Sequence, residues 1–352
     1  MTIERIPAEY VHFIESYPTT WEKQKSLNEL GFSLSPRSNE VFFPNEYYGL
    51  DLIVKAFLEL GQERSLKFGV PHGVELGDDR VGNVYGLGTV LSTLTYNNPI
   101  GLKNLITNRV PGWKIPAEHP ILLLRNLMED LQLLHHNPIK NATLFFPAHL
   151  QEGVNFEDKL YDKYICSKLS LLRTVKHDIE ISLPGVDIQL NRHLVYEAAG
   201  FNVVSSGHIF DPYFLSRFTN LVTSYKEVAT AEAGSHLFYT AALGCRTIFW
   251  DLGLPMVQLL AGERRNDSPF EIDSAAKTLF RDKQEINRAT AENYLGGTGK
   301  SISKSYWRDI HRASIIRDYW AIFEPIGEGF KLAIPRLLRR QLVSTLNFLN
   351  IS

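Results

Sequence analysis

Gly234 and Ser235 stand at the junction between an apolar run and a segment with helical spacing. Glycine lets a ligand approach the backbone closely, and the first N–H groups of a helix favour a bound anion. His236 follows directly and adds a side chain whose charge can change near neutral pH. We therefore expect a phosphate-binding site at this junction. The alternative is structural, because a serine in this place can also serve only as a helix cap.

A second group of chemically capable residues begins with His72, which follows the apolar run Leu66–Val70. Three carboxylates come soon after it, Glu75, Asp78 and Asp79. An imidazole or a carboxylate can accept a proton from an attacking hydroxyl, so we expect a general base among these four residues. The alternative is a histidine in a polar turn without a catalytic role.

Three more candidates follow predicted strands. His149 comes after Ala142–Phe146, and Ser206 and His208 come after Phe201–Val204. A histidine in such a place can hold a phosphate, since its charge is tunable near neutral pH. Each of the three is equally compatible with an ordinary loop, and only their common position after strands favours a binding role.

Strand and helix patterns alternate between residues 142 and 251, and this alternation is typical of a doubly wound parallel sheet. Right-handed crossovers would bring all the strand carboxyl ends, and so the candidate residues, to one edge. The predicted strands are Ala142–Phe146, His177–Leu183, Phe201–Val204, Glu227–Ala231 and Arg246–Trp250. The predicted helices are Glu157–Thr174, Gln189–Ala199, Pro212–Leu221 and Ser235–Leu243.

The first third of the chain predicts a second α/β unit. Its predicted strands are Glu40–Phe43 and Leu66–Val70, and its predicted helices are Tyr47–Leu60 and Leu122–Leu134. We therefore expect an N-terminal domain over residues 1–138 and a second domain over 139–265. Residues 266–352 are more charged and mostly helical in pattern, and we expect them to pack back on the N-terminal domain.

Composition excludes several classes of protein. The 352 residues are 44% hydrophobic and carry a net charge of −2, so no basic field indicates nucleic acid as a partner. No run approaches the roughly 18 apolar residues of a membrane span, and the N-terminus lacks the pattern of a signal peptide. The two cysteines and the adjacent pair Asp78 and Asp79 lack metal-ligand spacing. We expect a cytoplasmic protein without a metal or cofactor.

The order of these motifs resembles the GT-B glycosyltransferases. The segments Phe145–His149, Ala199–His208, Asp211–Leu215 and Gly234–Tyr239 are similar to those of bacterial surface-polysaccharide glycosyltransferases. The order also resembles transferases with cytidine-nucleotide donors, such as sialyltransferases, Kdo transferases and polyglycerol-phosphate polymerases. The resemblance implies two Rossmann-like domains facing across a cleft, and transfer of a hexosyl, sialyl or Kdo group from a nucleotide sugar, CMP-linked in the cytidine case, to a glycan or lipid-linked acceptor.

The resemblance also implies a role for each set of candidate residues. The donor-binding set is His149, Ser206, His208, Gly234, Ser235 and His236. The set that acts on the acceptor hydroxyl is His72, Glu75, Asp78 and Asp79. Helix N–H groups would stabilise the leaving phosphate, so the transfer is expected to need no metal.

Two other functions stay open on the sequence. A nucleotide-sugar epimerase on the same fold would use similar histidines and carboxylates, and a two-lobed binding protein would need no base at all. The C-terminal stretch 330–349 mixes four basic residues with large apolar ones. It is either a contact with the inner face of an anionic membrane or a last helix packed on the first domain. The oligomeric state is not indicated.

Overall fold

A six-stranded sheet with helices on both faces dominates the computed structural model. The structure describes residues 10, 37, 40, 42–70, 72–73, 92–95, 113–134, 138–147, 160–173, 178–230, 234–250, 252, 285–297 and 304–321. The strands are β1 (Ser92–Thr95), β2 (Trp113–Pro116), β3 (Lys140–Phe146), β4 (Asp178–Ser182), β5 (Asn202–Val204), β6 (Tyr225–Thr230), β7 (Thr247–Phe249) and β8 (Glu285–Ile286).

The strand order confirms the α/β fold class. The large sheet runs β5-β4-β3-β6-β7-β8, and every neighbouring pair is parallel except β7 with β8, which is antiparallel. The first two strands form a separate parallel pair. The chain moves outwards from β3 in one direction and then returns to begin β6 on its other side. This reversal is the point at which ligands bind in open α/β sheets.

The helices fill the connections. A 3₁₀ segment, Phe43–Gly49, precedes the α-helices, which are α1 (Leu50–Leu58), α2 (Pro120–Asp130), α3 (Leu160–Arg173), α4 (Gly185–Gln189), α5 (His193–Ala198), α6 (Phe214–Thr223), α7 (Ser235–Ala242), α8 (Arg288–Tyr294) and α9 (Lys304–Ala321). Gly200 and Gly244 take φ of +80° and +85°, the left-handed conformation that glycine adopts without strain. The two glycines follow α5 and α7 and allow the chain to turn where these helices end.

The first third differs from its sequence prediction. The described residues 40, 42 and 43 of the predicted strand Glu40–Phe43 are not in a strand, and the predicted helix Tyr47–Leu60 begins as an α-helix only at Leu50, after the 3₁₀ segment. Only an isolated bridge occurs in the predicted strand Leu66–Val70. Side chains satisfy the backbone there instead of a neighbouring strand. Asn45 donates to the Phe68 carbonyl at 2.9 Å and accepts from Val70 N at 2.7 Å, while Leu66 N donates to Glu40 at 3.1 Å. Hydrogen bonds between side chains and distant backbone groups leave no periodic pattern in the sequence, so periodicity could not predict them.

The predicted helix Gln189–Ala199 is divided in the structure. Asn191 has φ of +58°, which breaks the helical backbone and separates α4 from α5. Arg192 follows the break and is buried against two carboxylates, with Nη2 at 2.5 Å from Asp162 Oδ1 and Nη1 at 2.7 Å from Asp187 Oδ2. These ion pairs hold the break in place beneath the outer strands.

Helices from both sides of residue 138 share one hydrophobic core. Buried side chains of α1 and α2 belong to the same cluster as those of α6, α7, α8 and α9. The opposite face of the sheet has a second cluster under α3, α4 and α5. Lys304 at the start of α9 binds Glu59 at the end of α1, with 2.5 Å between Nζ and Oε1. The domain boundaries at 138 and 265 stay a prediction.

Candidate functional site

The reversal between β3 and β6 brings two strand ends side by side. Thr230 ends β6 and donates its hydroxyl to the carbonyl of Phe146, which ends β3, at 3.0 Å. The next described residue, Gly234, leads directly into α7. The amino terminus of this helix therefore faces the carboxyl edge of the sheet at the position where an open α/β fold binds its ligand.

The start of α7 has no side-chain cap. Gly234 is the N-cap residue and is extended, with φ of −146° and ψ of 173°, and Ser235 is already the first helical residue. The alternative in which Ser235 only caps the helix is therefore wrong. The phosphate-binding role remains a prediction, and the helix dipole at this end favours a negative charge.

His236 is held in one tautomer by its neighbours. Thr230 uses its only hydroxyl proton towards Phe146, so the contact of 3.0 Å between His236 Nε2 and Thr230 Oγ1 requires the proton on Nε2. The imidazole stacks on the Phe146 ring, with centroids 5.1 Å apart. Nδ1 faces Gly234, because a Cβ built on that glycine would lie 2.9 Å from it. The imidazole of His236 therefore lies beside the start of α7.

The His72 segment lies directly against α7. A Cβ built on Gly73 would be 3.2 Å from Ser235 Oγ, and Tyr239 donates its hydroxyl to the His72 carbonyl at 2.9 Å. The segment that contains His72, predicted for the acceptor side, is therefore a neighbour in space of Ser235, predicted for the donor side, although the two are far apart in sequence.

The environment of His72 keeps its imidazole neutral. Its ring lies edge-on to Tyr47 with centroids 5.0 Å apart, and Tyr48 is 6.1 Å away. Burial lowers the pKa of His72 to about 4, well under the ordinary value for histidine. At neutral pH the imidazole of His72 is consequently uncharged.

Sequence reasoning missed His119 and Tyr239. Both are buried, and Tyr239 Oη lies 2.9 Å from His119 Nε2. Burial, and then the neighbouring His72, lower the pKa of His119 to about 3. One signal was present in the sequence for Tyr239, which stands four residues after Ser235 and so on the same face of the helix. No comparable pattern marks His119.

The loop after β5 carries Ser206 and His208 to the same edge. Within the part of the chain that the structure describes, the buried hydroxyl of Ser206 has no hydrogen-bond partner. His208 Nδ1 accepts from Phe210 N at 3.3 Å, and the Phe210 ring is 5.3 Å from that of Tyr47. Tyr47 contacts both Phe210 and His72, so it connects the loop that carries His208 to the His72 ring.

Four of the predicted site residues lie outside the described ranges, and these are Glu75, Asp78, Asp79 and His149. The same holds for the predicted membrane-contact segment 330–349. Among the residues that are described, no three His, Cys, Asp or Glu side chains are grouped so that they could hold a metal ion. None of the described helices combines the length and the apolar character needed to cross a bilayer.

No family model matches the sequence, and no curated protein matches it. Solved structures give partial likenesses at low identity. A variant of the wall teichoic acid polymerase TagF is 13% identical, with 74% of this chain and 70% of that chain covered and a TM-score of 0.39. UDP-GlcNAc 2-epimerase from Neisseria meningitidis, bound to UDP-GlcNAc, is 14% identical, with coverage of 71% and 69% and a TM-score of 0.31.

A further likeness is to the GtfA/B complex, at 11% identity, with coverage of 75% and 55% and a TM-score of 0.32. TM-scores this low do not establish a common fold. The α/β class of this chain therefore rests on its own strand order and helices, and its function must be argued from the site.

Proposed function

We propose that this chain is a glycosyltransferase that moves a sugar from a nucleotide-sugar donor to a glycan or lipid-linked acceptor in surface-polysaccharide synthesis. One observation carries the proposal. His72 and Gly73 lie beside the first turn of α7, and a Cβ built on Gly73 would be only 3.2 Å from Ser235 Oγ. The proposal thus pairs a proton acceptor with an anion-binding helix start on adjacent segments, and sugar transfer from a phosphate leaving group requires that pairing.

On the donor side, the phosphates bind at the start of α7. The backbone N–H groups after Gly234 and the hydroxyl of Ser235 would donate to the phosphate oxygens. His236, whose ring lies beside Gly234, would contact the bound phosphate. Ser206 and His208 border this space from the neighbouring loop, and His149 remains a predicted donor contact.

On the acceptor side, His72 is the general base. The acceptor hydroxyl oxygen attacks the anomeric carbon of the sugar, the bond from that carbon to the phosphate oxygen breaks, and the nucleotide leaves with the electron pair. The hydroxyl proton passes to the neutral imidazole of His72. The arriving phosphate charge would raise the pKa of this histidine from its low resting value and so strengthen it as a base. Glu75, Asp78 and Asp79 remain alternative bases.

The sequence resemblance supports the same assignment and suggests a CMP-linked donor. It is carried by Phe145–His149 and Gly234–Tyr239, among other segments. A lipid-linked acceptor would also place the protein at the inner membrane face, with the basic stretch 330–349 as its contact. Both points belong to the proposal and need their own measurements.

The first test is nucleotide binding. Thermal unfolding is followed with CMP, CDP, UDP, GDP and dTDP, because a ligand at 100 times its Kd stabilises the folded state by about 2.7 kcal/mol. We expect a selective shift with one nucleotide. Ser235→Ala should weaken the affinity for that nucleotide about tenfold, the loss of one hydrogen bond to a charged group.

The matched control is Ser224→Ala. Its hydroxyl donates to Asn220 O at 2.6 Å, at the opposite edge of the sheet, so the nucleotide affinity should be unchanged. Equal affinities for Ser235→Ala and wild type would remove the phosphate assignment. Product analysis then separates the alternatives. A transferase yields a new glycoside and free nucleotide, an epimerase returns a nucleotide sugar of altered configuration, and a binding protein gives no turnover.

A further inference from the structure

Three residues form a hydrogen-bonded chain through the core beside the candidate site. His119 Nδ1 accepts from Ile121 N at 3.0 Å, His119 Nε2 lies 2.9 Å from Tyr239 Oη, and Tyr239 Oη donates to the His72 carbonyl at 2.9 Å. His119 is fully buried and Tyr239 almost so. The chain begins at the amino terminus of α2, passes through α7 and ends on the backbone of His72.

The direction of each bond follows from its partners. His119 Nδ1 accepts a backbone N–H and so carries no proton, and the neutral ring must therefore be protonated on Nε2. That proton is donated to Tyr239 Oη, which leaves the phenol proton for the His72 carbonyl. These three hydrogen bonds are therefore compatible with one arrangement of donors and acceptors.

Tyr239 shares its helix face with Ser235. The two residues are four positions apart on α7 and therefore lie on the same face of the helix. One turn of α7 thus holds both Ser235, on the donor side, and the carbonyl of His72, on the acceptor side. The distance between these two groups is consequently set by a single rigid helix and not by the relative positions of two loops.

We propose that Tyr239, oriented by His119, is a positioning residue that holds the His72 backbone against the first turn of α7 so that the His72 side chain stays in register with the donor phosphate. This inference rests on the proposed glycosyltransferase function for its effect on rate. The placement of His72 itself rests only on the contacts described above. Tyr239 does not touch the reacting atoms and acts through the carbonyl that it binds.

The alternative is that the hydrogen-bonded chain of His119 and Tyr239 only contributes to core packing. A buried tyrosine hydroxyl with satisfied partners contributes about 1 kcal/mol to folding and need not affect chemistry. Tyr225 provides the comparison, because it is equally buried and its hydroxyl donates to Glu180 at 2.7 Å near the amino ends of the strands. Tyr225→Phe and Tyr239→Phe remove the same group from the core at opposite edges of the sheet.

The experiment compares these two variants in the full chain. For Tyr239→Phe we expect kcat to fall about 10- to 100-fold, because small displacements of a catalytic group have effects of this size. The KM for the donor should change less than about twofold, since Ser235 and the helix start are kept. Burial lowers the pKa of His72 to about 4, and in this variant an NMR titration should show a higher pKa, because the segment loosens and the imidazole becomes less buried. Tyr225→Phe should change none of these.

His119→Asn is the second variant. Asparagine preserves the cap at the start of α2 but cannot reach Tyr239, so it should reproduce the effect of Tyr239→Phe in weaker form. If Tyr239→Phe matches Tyr225→Phe in kcat and in the His72 titration, the positioning role is overturned. If the wild-type protein transfers no sugar, the proposed function fails, while the His72 titration still decides whether Tyr239 holds this residue.

Discussion

The amino ends of the central strands and the start of α7 at their carboxyl ends differ in their polar groups. At the amino ends of the strands, charges are paired. Lys140 Nζ lies 3.0 Å from Glu180 Oε2, and Arg246 Nη1 lies 2.6 Å from Glu227 Oε2. At the carboxyl ends, the described polar groups around α7 are hydroxyls, carbonyls and histidines whose hydrogen bonds need no net charge.

The difference separates stability from chemistry. A buried carboxylate beside its cation has its charge neutralised in the protein and has little capacity left for a ligand. A neutral imidazole in a desolvated place can still gain a proton, and a helix start can still take an anion. Substitutions at the amino edge should therefore change the free energy of unfolding, and substitutions at the carboxyl edge should change ligand binding and rate.

The largest expected effect is on the rate of transfer. His72→Gln removes the proposed base but keeps a polar side chain, and we expect kcat to fall about 10²- to 10⁴-fold, the usual contribution of general base catalysis. Nucleotide affinity, measured by calorimetry, should stay within about twofold. Lys140→Gln at the amino edge should do the reverse, with an unchanged kcat and a loss of about 1 kcal/mol in the free energy of unfolding.

A His72→Gln protein with normal kcat would move the base to Glu75, Asp78 or Asp79. A Lys140→Gln protein with reduced kcat and unchanged stability would contradict the separation between the edges.

The next effect is on stability at acid pH. The pKa of His119 is lowered to about 3 in the folded state, against about 6.5 in the unfolded chain. Below about pH 6.5 the unfolded state therefore binds a proton that the folded state does not, and stability is lost as the pH falls. Between pH 7 and pH 5 this loss amounts to about 2 kcal/mol from His119, and His72 acts in the same direction.

Urea unfolding of the wild type and of His119→Asn at both pH values measures the effect. The asparagine variant lacks the titrating group, so its stability should fall by about 2 kcal/mol less over this range. Parallel pH dependence in the two proteins would mean that His119 is not the source of the acid sensitivity.

The sequence predicts the sheet better than the site. The alternation of strand and helix patterns predicted β3 to β7 within a few residues, because each short strand pattern is bounded by a helix pattern or by a glycine such as Gly200. The first third failed at Leu66–Val70, where Asn45 and Glu40 replace a neighbouring strand, and a side chain that pairs with distant backbone leaves no periodicity.

The sequence predicted the donor-side and acceptor-side residues as separate groups, without the contacts that join them. The parallel sheet predicted that Ser235 and the loop after β5 would share an edge, since all strand carboxyl ends meet there. The approach of His72 to α7 could not be derived, because it depends on how α1 and α2 pack on α6 and α7. For the same reason the sequence contained no signal for His119, because its partner Tyr239 is distant in sequence.

The smallest expected effect is a difference in stability between two ion pairs at the amino edge. Arg246 binds two carboxylates, the buried Glu227 and the half-exposed Glu285, whose Oε2 lies 3.5 Å from Arg246 Nε. Glu227→Gln should cost about 1 kcal/mol in urea unfolding, because a charge-assisted hydrogen bond away from water becomes a neutral one. Glu285→Gln should cost less than about 0.5 kcal/mol, and added salt should remove that difference, because solvent screens the exposed pair. Equal losses of unfolding free energy in the two variants would show that the contribution of these ion pairs depends on charge alone and not on burial.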